Sequence, residues 1–312
     1  MQMNSSILKS REPLLQPRFR SIALVRPGQN TTPNNLVRSL VTPRNRLIDL
    51  IFYNVDRKDQ QQVIDYGGVP QGSIIVVSPN HDDALRFFPD AVEFFRDSCS
   101  KNVGAVSVAG VGSSAIGAVG LARDVANATG LQVAAIVSGY GIDDVIYEAL
   151  GGWVFLREVN QLEFLTEQIE QAAQTAVPGL LATIETYDSV GAGPDMATAK
   201  SLLRADRLPR LQWVVGHSKG NLLISGAISE LRFEGARVDL NAANLVLFSA
   251  LTALPLGIGR QYQIIGSRDL LGGINSRLNI AHKLVIGAMH HLNTQLPFHM
   301  NAVEQLRSIL GH

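Results

Sequence analysis

Residues 211–231 read LQWVVGHSKGNLLISGAISEL. The apolar run 211–215 has the length of a strand, and 221–231 places apolar residues one helical turn apart, so the stretch predicts a strand followed by a helix. Between them, Ser218 stands in the nucleophile-elbow pattern G-x-S-x-G. The two glycines lack the β-carbon that would clash in so sharp a turn, and the serine is expected in a strained conformation with its hydroxyl exposed. The stretch predicts a strand–turn–helix unit that presents Ser218 as a nucleophile.

Short apolar stretches alternate with helical ones along most of the chain. This pattern predicts an α/β fold, with a mostly parallel central sheet and helices on both faces. The predicted strands are 50–53, 73–77, 103–109, 132–137, 211–215, 244–248, 262–265 and 283–286. The predicted helices are 82–96 (broken or kinked at Pro89), 115–128, 159–173, 221–231 and 302–310.

The first 50 residues differ in composition from the rest. They hold five of the 13 prolines, and Lys9 with seven arginines faces only Glu12 and Asp49. We predict a basic, proline-rich arm over 1–50 and a single domain over 51–312. The interval 141–210 interrupts the strand–helix alternation, which indicates an inserted cover between the strands near 137 and 211.

Composition excludes several classes of protein. Hydrophobic residues make up 46% of the 312, so the chain is not disordered, and 27 basic residues balance 27 acidic ones, which argues against nucleic acid as a partner. A single cysteine, Cys99, excludes an internal disulfide framework. The uncharged run 103–122 is rich in glycine, alanine and serine, so we interpret it as a buried strand, a turn and a helix rather than a membrane span. No secretory signal is recognisable, and we expect a soluble, cytoplasmic protein.

A serine needs a base, and the base needs an acid to orient it. The strand 262–265 leads into GSRD, ending at Asp269, and the strand 283–286 leads into GAMHH, ending at His290 and His291. Nucleophile, acid and base thus follow in the chain order that the elbow architecture uses. Alternatively, Asp269 pairs with its neighbour Arg268 or caps a helix that starts next to it.

A metal centre is not predicted. The adjacent histidines 290 and 291 would point to opposite faces of an extended chain and could not both bind one ion. The sequence also contains no HExxH motif, and HDD at 81–83 is explained by a loop leading into a helix.

Together, the strand–GHSKG–helix unit, the G-x-x-D turn at 266–269 and the G-A-x-H loop at 287–290 resemble the α/β-hydrolase superfamily. The resemblance covers about residues 103–312. It implies that His290 is the base, since Pro297 follows at the usual interval, and that the backbone N–H groups of Lys219 and Val111 bind the oxyanion. The oxyanion loop departs from the usual histidine–glycine pair, because Ala109 precedes Gly110 here.

The activity implied by this resemblance is that of a serine esterase or lipase. Such an enzyme cleaves a carboxylic ester, here a small or lipid-like one, through an acyl-enzyme and needs no cofactor. An acyltransferase would use the same residues with a different acceptor.

Two other readings remain open. Gly110-Val111-Gly112, with Ala115, fits a dinucleotide fingerprint, but the next strand ends without the expected acid, so this reading would favour NADP. The chain could also be a binding protein that keeps the hydrolase fold without catalysis. Oligomeric state is not predicted.

Overall fold

The computed structural model describes residues 49–81, 83–110, 113–138, 193–254, 258–274, 276–277 and 279–311. Its strands are β1 Ile74–Val77, β2 Arg86–Phe88, β3 Val103–Val108, β4 Gln132–Ile136, β5 Trp213–His217, β6 Asn244–Phe248, β7 Arg260–Gly266 and β8 Lys283–Val285. Its helices are α1 Arg57–Tyr66, α2 Ala91–Arg96, α3 Ala115–Thr129, α4 Pro194–Leu203, α5 Lys219–Phe233, α6 Leu270–Ile274 and α7 Ala302–Leu310, with 3-10 turns at Pro79–His81 and Ser98–Asn102.

The strands form one eight-stranded sheet in the order β2-β1-β4-β3-β5-β6-β7-β8. β1 runs antiparallel to both β2 and β4, and every other neighbouring pair is parallel. Parallel neighbours need crossover connections, which place helices on the faces of the sheet.

Both faces of the sheet are buried. Along β1, Ile75 and Val77 belong to the core on the side of α3 and α7, whereas Ile74 and Val76 belong to the core on the side of α4 and α5. This alternation follows from the two-residue period of a strand. The predicted class, a mostly parallel α/β sheet with helices on both faces, is confirmed.

The strand predicted over 50–53 is wrong, and so is the first half of the helix predicted over 82–96, whereas its second half and the break at Pro89 are confirmed. Residues 49–52 are helical rather than a strand, and a short apolar run cannot distinguish the two. The helix predicted over 82–96 is instead the strand β2, paired with β1, followed by α2. Pro89 separates them, and the Asp90 carboxylate caps α2 by accepting a hydrogen bond from the Glu93 N–H at 2.9 Å.

Parts of the predicted domain organisation lie outside the described residues. These parts include residues 1–48 of the basic arm and the helix predicted over 159–173. Of the predicted cover, the structure describes only 193–210, where α4 packs against α5 and buries Leu202 and Leu203. The boundaries at 50, 141 and 210 stay predictions.

Several parallel strands end at the same edge of the sheet, where an α/β protein presents its site. Ser218 directly follows β5, and Ser249 directly follows β6. Asp269 lies just beyond β7, and His290 lies on the loop after β8. The topology therefore brings the residues selected from the sequence to one edge.

Over the described ranges, no helix is both long and apolar enough to cross a membrane. The same ranges contain no cluster of three or more metal-ligating side chains.

Candidate active site

The turn between β5 and α5 holds Ser218 in a conformation that L-residues rarely adopt, with φ 54° and ψ −122°. The Ser218 N–H donates a hydrogen bond to the Phe248 carbonyl at 2.9 Å, which ties the turn to the end of β6. A β-carbon on Gly216 would lie 2.9 Å from Ile224 Cδ1, and one on Gly220 would lie 2.7 Å from the Ala109 carbonyl oxygen. The two glycines are therefore required by close packing, and the serine is held at the tip of the turn.

A buried asparagine anchors the first turn of α5. Asn221 donates its side-chain N–H groups to the carbonyls of Phe248 at 2.9 Å and Ala250 at 2.8 Å. Because Asn221 is fully buried, these bonds do not compete with water. They fix the helix that begins at Lys219 against the loop after β6.

Ser218, His290 and Asp269 form one hydrogen-bonded row. His290 Nε2 lies 3.1 Å from Ser218 Oγ, and His290 Nδ1 lies 2.7 Å from Asp269 Oδ1. An ionised carboxylate only accepts, so Nδ1 carries the proton and Nε2 offers its lone pair to the serine hydroxyl. In this arrangement His290 can take the proton of Ser218.

The environment of Asp269 keeps it ionised. Its burial would raise the pKa, but the charge of His290 and hydrogen bonds from His290 and the Gly272 N–H outweigh that effect and lower the pKa of Asp269. The Gly272 bond, 2.6 Å to Oδ1, shows that Asp269 also caps the start of α6. Arg268, the alternative partner, places its guanidinium over the Phe298 ring, 4.7 Å from the centroid. Capping and orientation of the histidine are thus performed by the same carboxylate.

Of the two candidate bases, His290 is the one beside Ser218. The adjacent His291 directs its Nε2 to the Pro297 carbonyl, 3.0 Å away, and so braces the loop that precedes α7. His299 bonds to the Leu296 carbonyl through Nδ1 at 2.8 Å. Neither interaction points toward the serine.

Three residues of this region were not selected from the sequence. Tyr53 Oη lies 2.8 Å from His217 Nδ1, and His217 Nε2 lies 2.9 Å from the His290 carbonyl oxygen. Phe52 packs edge-on against the His290 ring, with centroids 5.7 Å apart. His217 was visible as a neighbour of the nucleophile in the motif, but no sequence signal connects residues 52 and 53 to the site.

The proposed oxyanion donors are described only in part. Lys219 occupies the first position of α5, where backbone N–H groups point toward the helix N-terminus and favour negative charge. Val111 lies outside the described residues. Its neighbour Gly110 already donates its N–H to Tyr53 Oη at 2.7 Å.

No protein-family model matches this chain, and neither does any curated protein. Solved structures that align with it include the HSL-homolog EstE7 from a metagenome library, with 11% identity, a TM-score of 0.35 and coverage of 91% of this chain and 98% of that one. An esterase of Pyrobaculum calidifontis aligns with 13% identity, a TM-score of 0.38 and coverage of 92% and 93%. An arylesterase aligns with 10% identity, a TM-score of 0.34 and coverage of 88% and 95%. Alignments with TM-scores this low say nothing about the activity of this chain.

Proposed function

We propose that this chain is a serine hydrolase that cleaves carboxylic esters through an acyl-enzyme. The observation that supports it best is the row Ser218–His290–Asp269, with spacings of 3.1 and 2.7 Å and the serine at a positive φ. A serine used only for structure has no need of a strained turn, a lone pair facing its hydroxyl and a buried carboxylate behind the imidazole.

The first step forms the acyl-enzyme. His290 Nε2 accepts the proton of Ser218 as Oγ attacks the ester carbonyl, and Asp269 stabilises the imidazolium that results. The carbonyl oxygen becomes an oxyanion, for which the Lys219 N–H and, in this proposal, the Val111 N–H are the donors. His290 then gives the proton to the leaving alkoxide, and the C–O bond of the ester breaks.

The second step releases the acid. Water enters the place of the alcohol and loses a proton to His290 as it attacks the acyl carbonyl. Collapse of the second tetrahedral intermediate returns the proton to Ser218 Oγ and frees the carboxylic acid. An alcohol in place of water would make the same residues an acyltransferase.

Fluorophosphonate labelling tests the nucleophile. We expect the wild-type protein to be labelled at Ser218 and Ser218→Ala to remain unlabelled, with turnover of p-nitrophenyl esters reduced by about 10⁴-fold or more. Ser225→Ala is the matched control, because Ser225 lies on the same helix and donates its hydroxyl to the Ala253 carbonyl at 2.9 Å, away from His290. A series of ester chain lengths would then separate short-chain esterase from lipase activity.

Wild-type protein that is folded but unlabelled would refute the proposal, as would labelling that survives in Ser218→Ala. Circular dichroism and thermal melting of both variants establish that they are folded. In the case of refutation, titration with NADPH would test the dinucleotide reading of the loop at 110–115.

A further inference from the structure

The catalytic base proposed above lies on a loop that follows the last strand of the sheet, and backbone hydrogen bonds at Ala288, Met289 and His291 hold its neighbours. β8 has only three residues, lies at the end of the sheet, and exposes Lys283 and Leu284. His290 follows five residues after it, beyond the turn at Gly287. Because a displacement of about 1 Å at a reacting group can cost about a hundredfold in rate, contacts to the backbone of His290 itself matter for the position of its ring.

A chain of buried hydrogen bonds reaches that loop from the interior. The Gly110 N–H bonds to Tyr53 Oη at 2.7 Å, Tyr53 Oη to His217 Nδ1 at 2.8 Å, and His217 Nε2 to the His290 carbonyl at 2.9 Å. Tyr53 is 2% exposed and His217 1% exposed, so water does not compete for the bond between them. The bond to the His290 carbonyl is part-buried, and Ser249 Oγ lies 3.4 Å from the same carbonyl.

The direction of the hydrogen bond at each end of the chain follows from its backbone group. A backbone N–H only donates, so the Tyr53 oxygen accepts from Gly110, and its own hydrogen can go to His217 Nδ1, 2.8 Å away, or to Ser113 Oγ, 3.4 Å away. At the other end a carbonyl only accepts, so His217 Nε2 must carry a hydrogen. The carbonyl end therefore selects the neutral tautomer of His217 that carries its hydrogen on Nε2, and the shorter of the two Tyr53 contacts supports it by donating to Nδ1.

The electrostatic surroundings of His217 agree with this geometry. Burial, and to a smaller extent the charge of His290, lowers the pKa of His217 to about 3. The groups that face it are Tyr53, His290, Asp269 and His291. The rings of His217 and His290 lie 5.0 Å apart, so a neutral His217 adds no positive charge beside the imidazolium that forms during turnover.

We infer that Tyr53 and His217 are positioning residues. The Tyr53 hydroxyl keeps His217 in its Nε2–H tautomer, and the Nε2–H group of His217 then holds the His290 backbone in line with Ser218. These hydrogen bonds also join Gly110, on the loop after β3, to the loop after β8, the two sides of the proposed site. This inference rests on the proposed serine hydrolase function.

The tautomer is measured directly by NMR of protein labelled with ¹⁵N-histidine. We expect wild-type His217 to remain neutral, with a protonated Nε2, from about pH 5 to 9, and Tyr53→Phe to show a smaller fraction of this tautomer, because only the His290 carbonyl then favours it. Tyr66→Phe is the matched control, because Tyr66 is half-exposed on α1 and stacks on Phe87. Wild-type His217 that titrates in this range, or a tautomer unchanged in Tyr53→Phe, would overturn the inference.

Kinetics separate positioning from general support of the fold. We expect Tyr53→Phe to lower kcat for p-nitrophenyl acetate about tenfold while KM changes less than about twofold, because ground-state binding does not depend on the base. Equal kcat in Tyr53→Phe and wild type would overturn the positioning role.

Two replacements of His217 test the two hydrogen bonds of this residue separately. The amide nitrogen of His217→Gln can reach the place of Nε2 and still donate to the His290 carbonyl, whereas His217→Asn offers its oxygen to Tyr53 and leaves that carbonyl without this donor. We expect His217→Gln to retain at least about fivefold higher kcat than His217→Asn at similar melting temperatures. The reverse order, or equal losses, would contradict the inference.

The failure of the inference and that of the proposed function give different results. An unlabelled wild-type Ser218 refutes the hydrolase proposal and the positioning role together. A labelled wild type with Tyr53→Phe labelled at the same rate refutes the positioning role alone.

Discussion

At Ser218 the backbone takes φ 54°, a conformation that costs a non-glycine residue about 1–3 kcal/mol. Two interactions keep it there: the Ser218 N–H bonds to the Phe248 carbonyl, and Asn221 bonds to the same carbonyl from the next turn of helix. Ser249, at the end of β6, has φ 61° and is fully buried beside this contact. Both serines with a positive φ thus lie at the edge where the proposed chemistry takes place.

The role of Asp269 can be tested by changing only its charge and acceptor pattern. Asp269→Asn keeps the size of the side chain, but its NH₂ group can face His290 Nδ1 as a donor and favour the tautomer that cannot accept the serine proton. We expect kcat for ester hydrolysis to fall by about 10³- to 10⁴-fold, with little change in KM. Stopped-flow or steady-state hydrolysis of p-nitrophenyl acetate measures both constants.

Asp239→Asn serves as the control for this variant, because Asp239 is a surface carboxylate paired with Arg237. Its kcat should equal that of the wild type. Retention of more than about a tenth of the wild-type kcat in Asp269→Asn would exclude the carboxylate from orienting the base.

The residues that could be identified from the sequence are those that follow a predicted strand in the expected order along the chain. Ser218 stands in a motif, and Asp269 and His290 each follow a recognisable strand. Tyr53 could not be identified, because its partner His217 is 164 positions away and no motif links them. His217 was visible beside the serine, but the direction of its ring depends on two hydrogen bonds that only the folded chain assembles.

At the level of elements, the position of α5 depends on how closely it approaches β3. A β-carbon on Gly220 would clash with the Val108 carbonyl and lie 2.7 Å from the Ala109 carbonyl oxygen, both of them backbone groups that cannot rotate away. We expect Gly220→Ala to lower the free energy of unfolding by about 3 kcal/mol and to abolish fluorophosphonate labelling. Urea denaturation followed by circular dichroism measures the first effect.

Gly226→Ala is the matched control on the same helix. A β-carbon there would lie 3.1 Å from Met196 Cε, the flexible tip of a side chain that can move. Alanine also has a higher helix propensity than glycine by up to about 1 kcal/mol, so this variant should be as stable as the wild type or slightly more stable. If both variants lost the same free energy of unfolding, the cause would be the added methyl group in α5 itself and not the close approach of α5 to β3.

The elements predicted well are those whose ends carry a local signal. Strands β3 to β7 follow from apolar runs bounded by polar or glycine residues, and α7 from 3.6-residue periodicity. The segment 50–53 and the first half of the stretch 82–96 were assigned wrongly because tertiary contacts decided them: Phe52 packs on His290, Tyr53 bonds to His217, and β2 exists through its pairing with β1. Propensity alone does not contain those contacts.

Over the whole molecule, the segment 49–54, which precedes α1, is attached to α3 at two places, each through a buried carboxyl group. Asp49 accepts hydrogen bonds from the Ser114 backbone N–H at 2.9 Å and from its hydroxyl at 2.5 Å. The side-chain amide nitrogen of Asn54 donates to the two carboxyl oxygens of Asp124, at 3.0 and 3.3 Å. Burial is the largest cause that raises the pKa of each to about 7. Tyr53 lies between these two attachments, so the segment that positions His217 is fixed through groups that titrate near neutrality.

The sign of the resulting pH dependence follows from proton binding. Between about pH 4 and 7 the folded state keeps protons on Asp49 and Asp124 that the unfolded state has released, so the free energy of unfolding falls as pH rises. Asp269 acts in the opposite direction but at lower pH: its pKa is lowered, so its contribution is present above the unfolded pKa and is lost as the solution is acidified below it. The two effects therefore occupy different pH ranges.

Asp124→Asn should remove one of the two groups responsible without removing an acceptor for Asn54. We expect the decline in the free energy of unfolding between about pH 4 and 7 to become shallower by up to about 1.4 kcal/mol per pH unit, as measured by urea denaturation at several pH values. Asp65→Asn, at an exposed position of α1, should leave the slope unchanged. A slope that Asp124→Asn does not alter would show that this carboxyl is ionised in the folded protein. In that case only the attachment through Asp49 would depend on pH in this range.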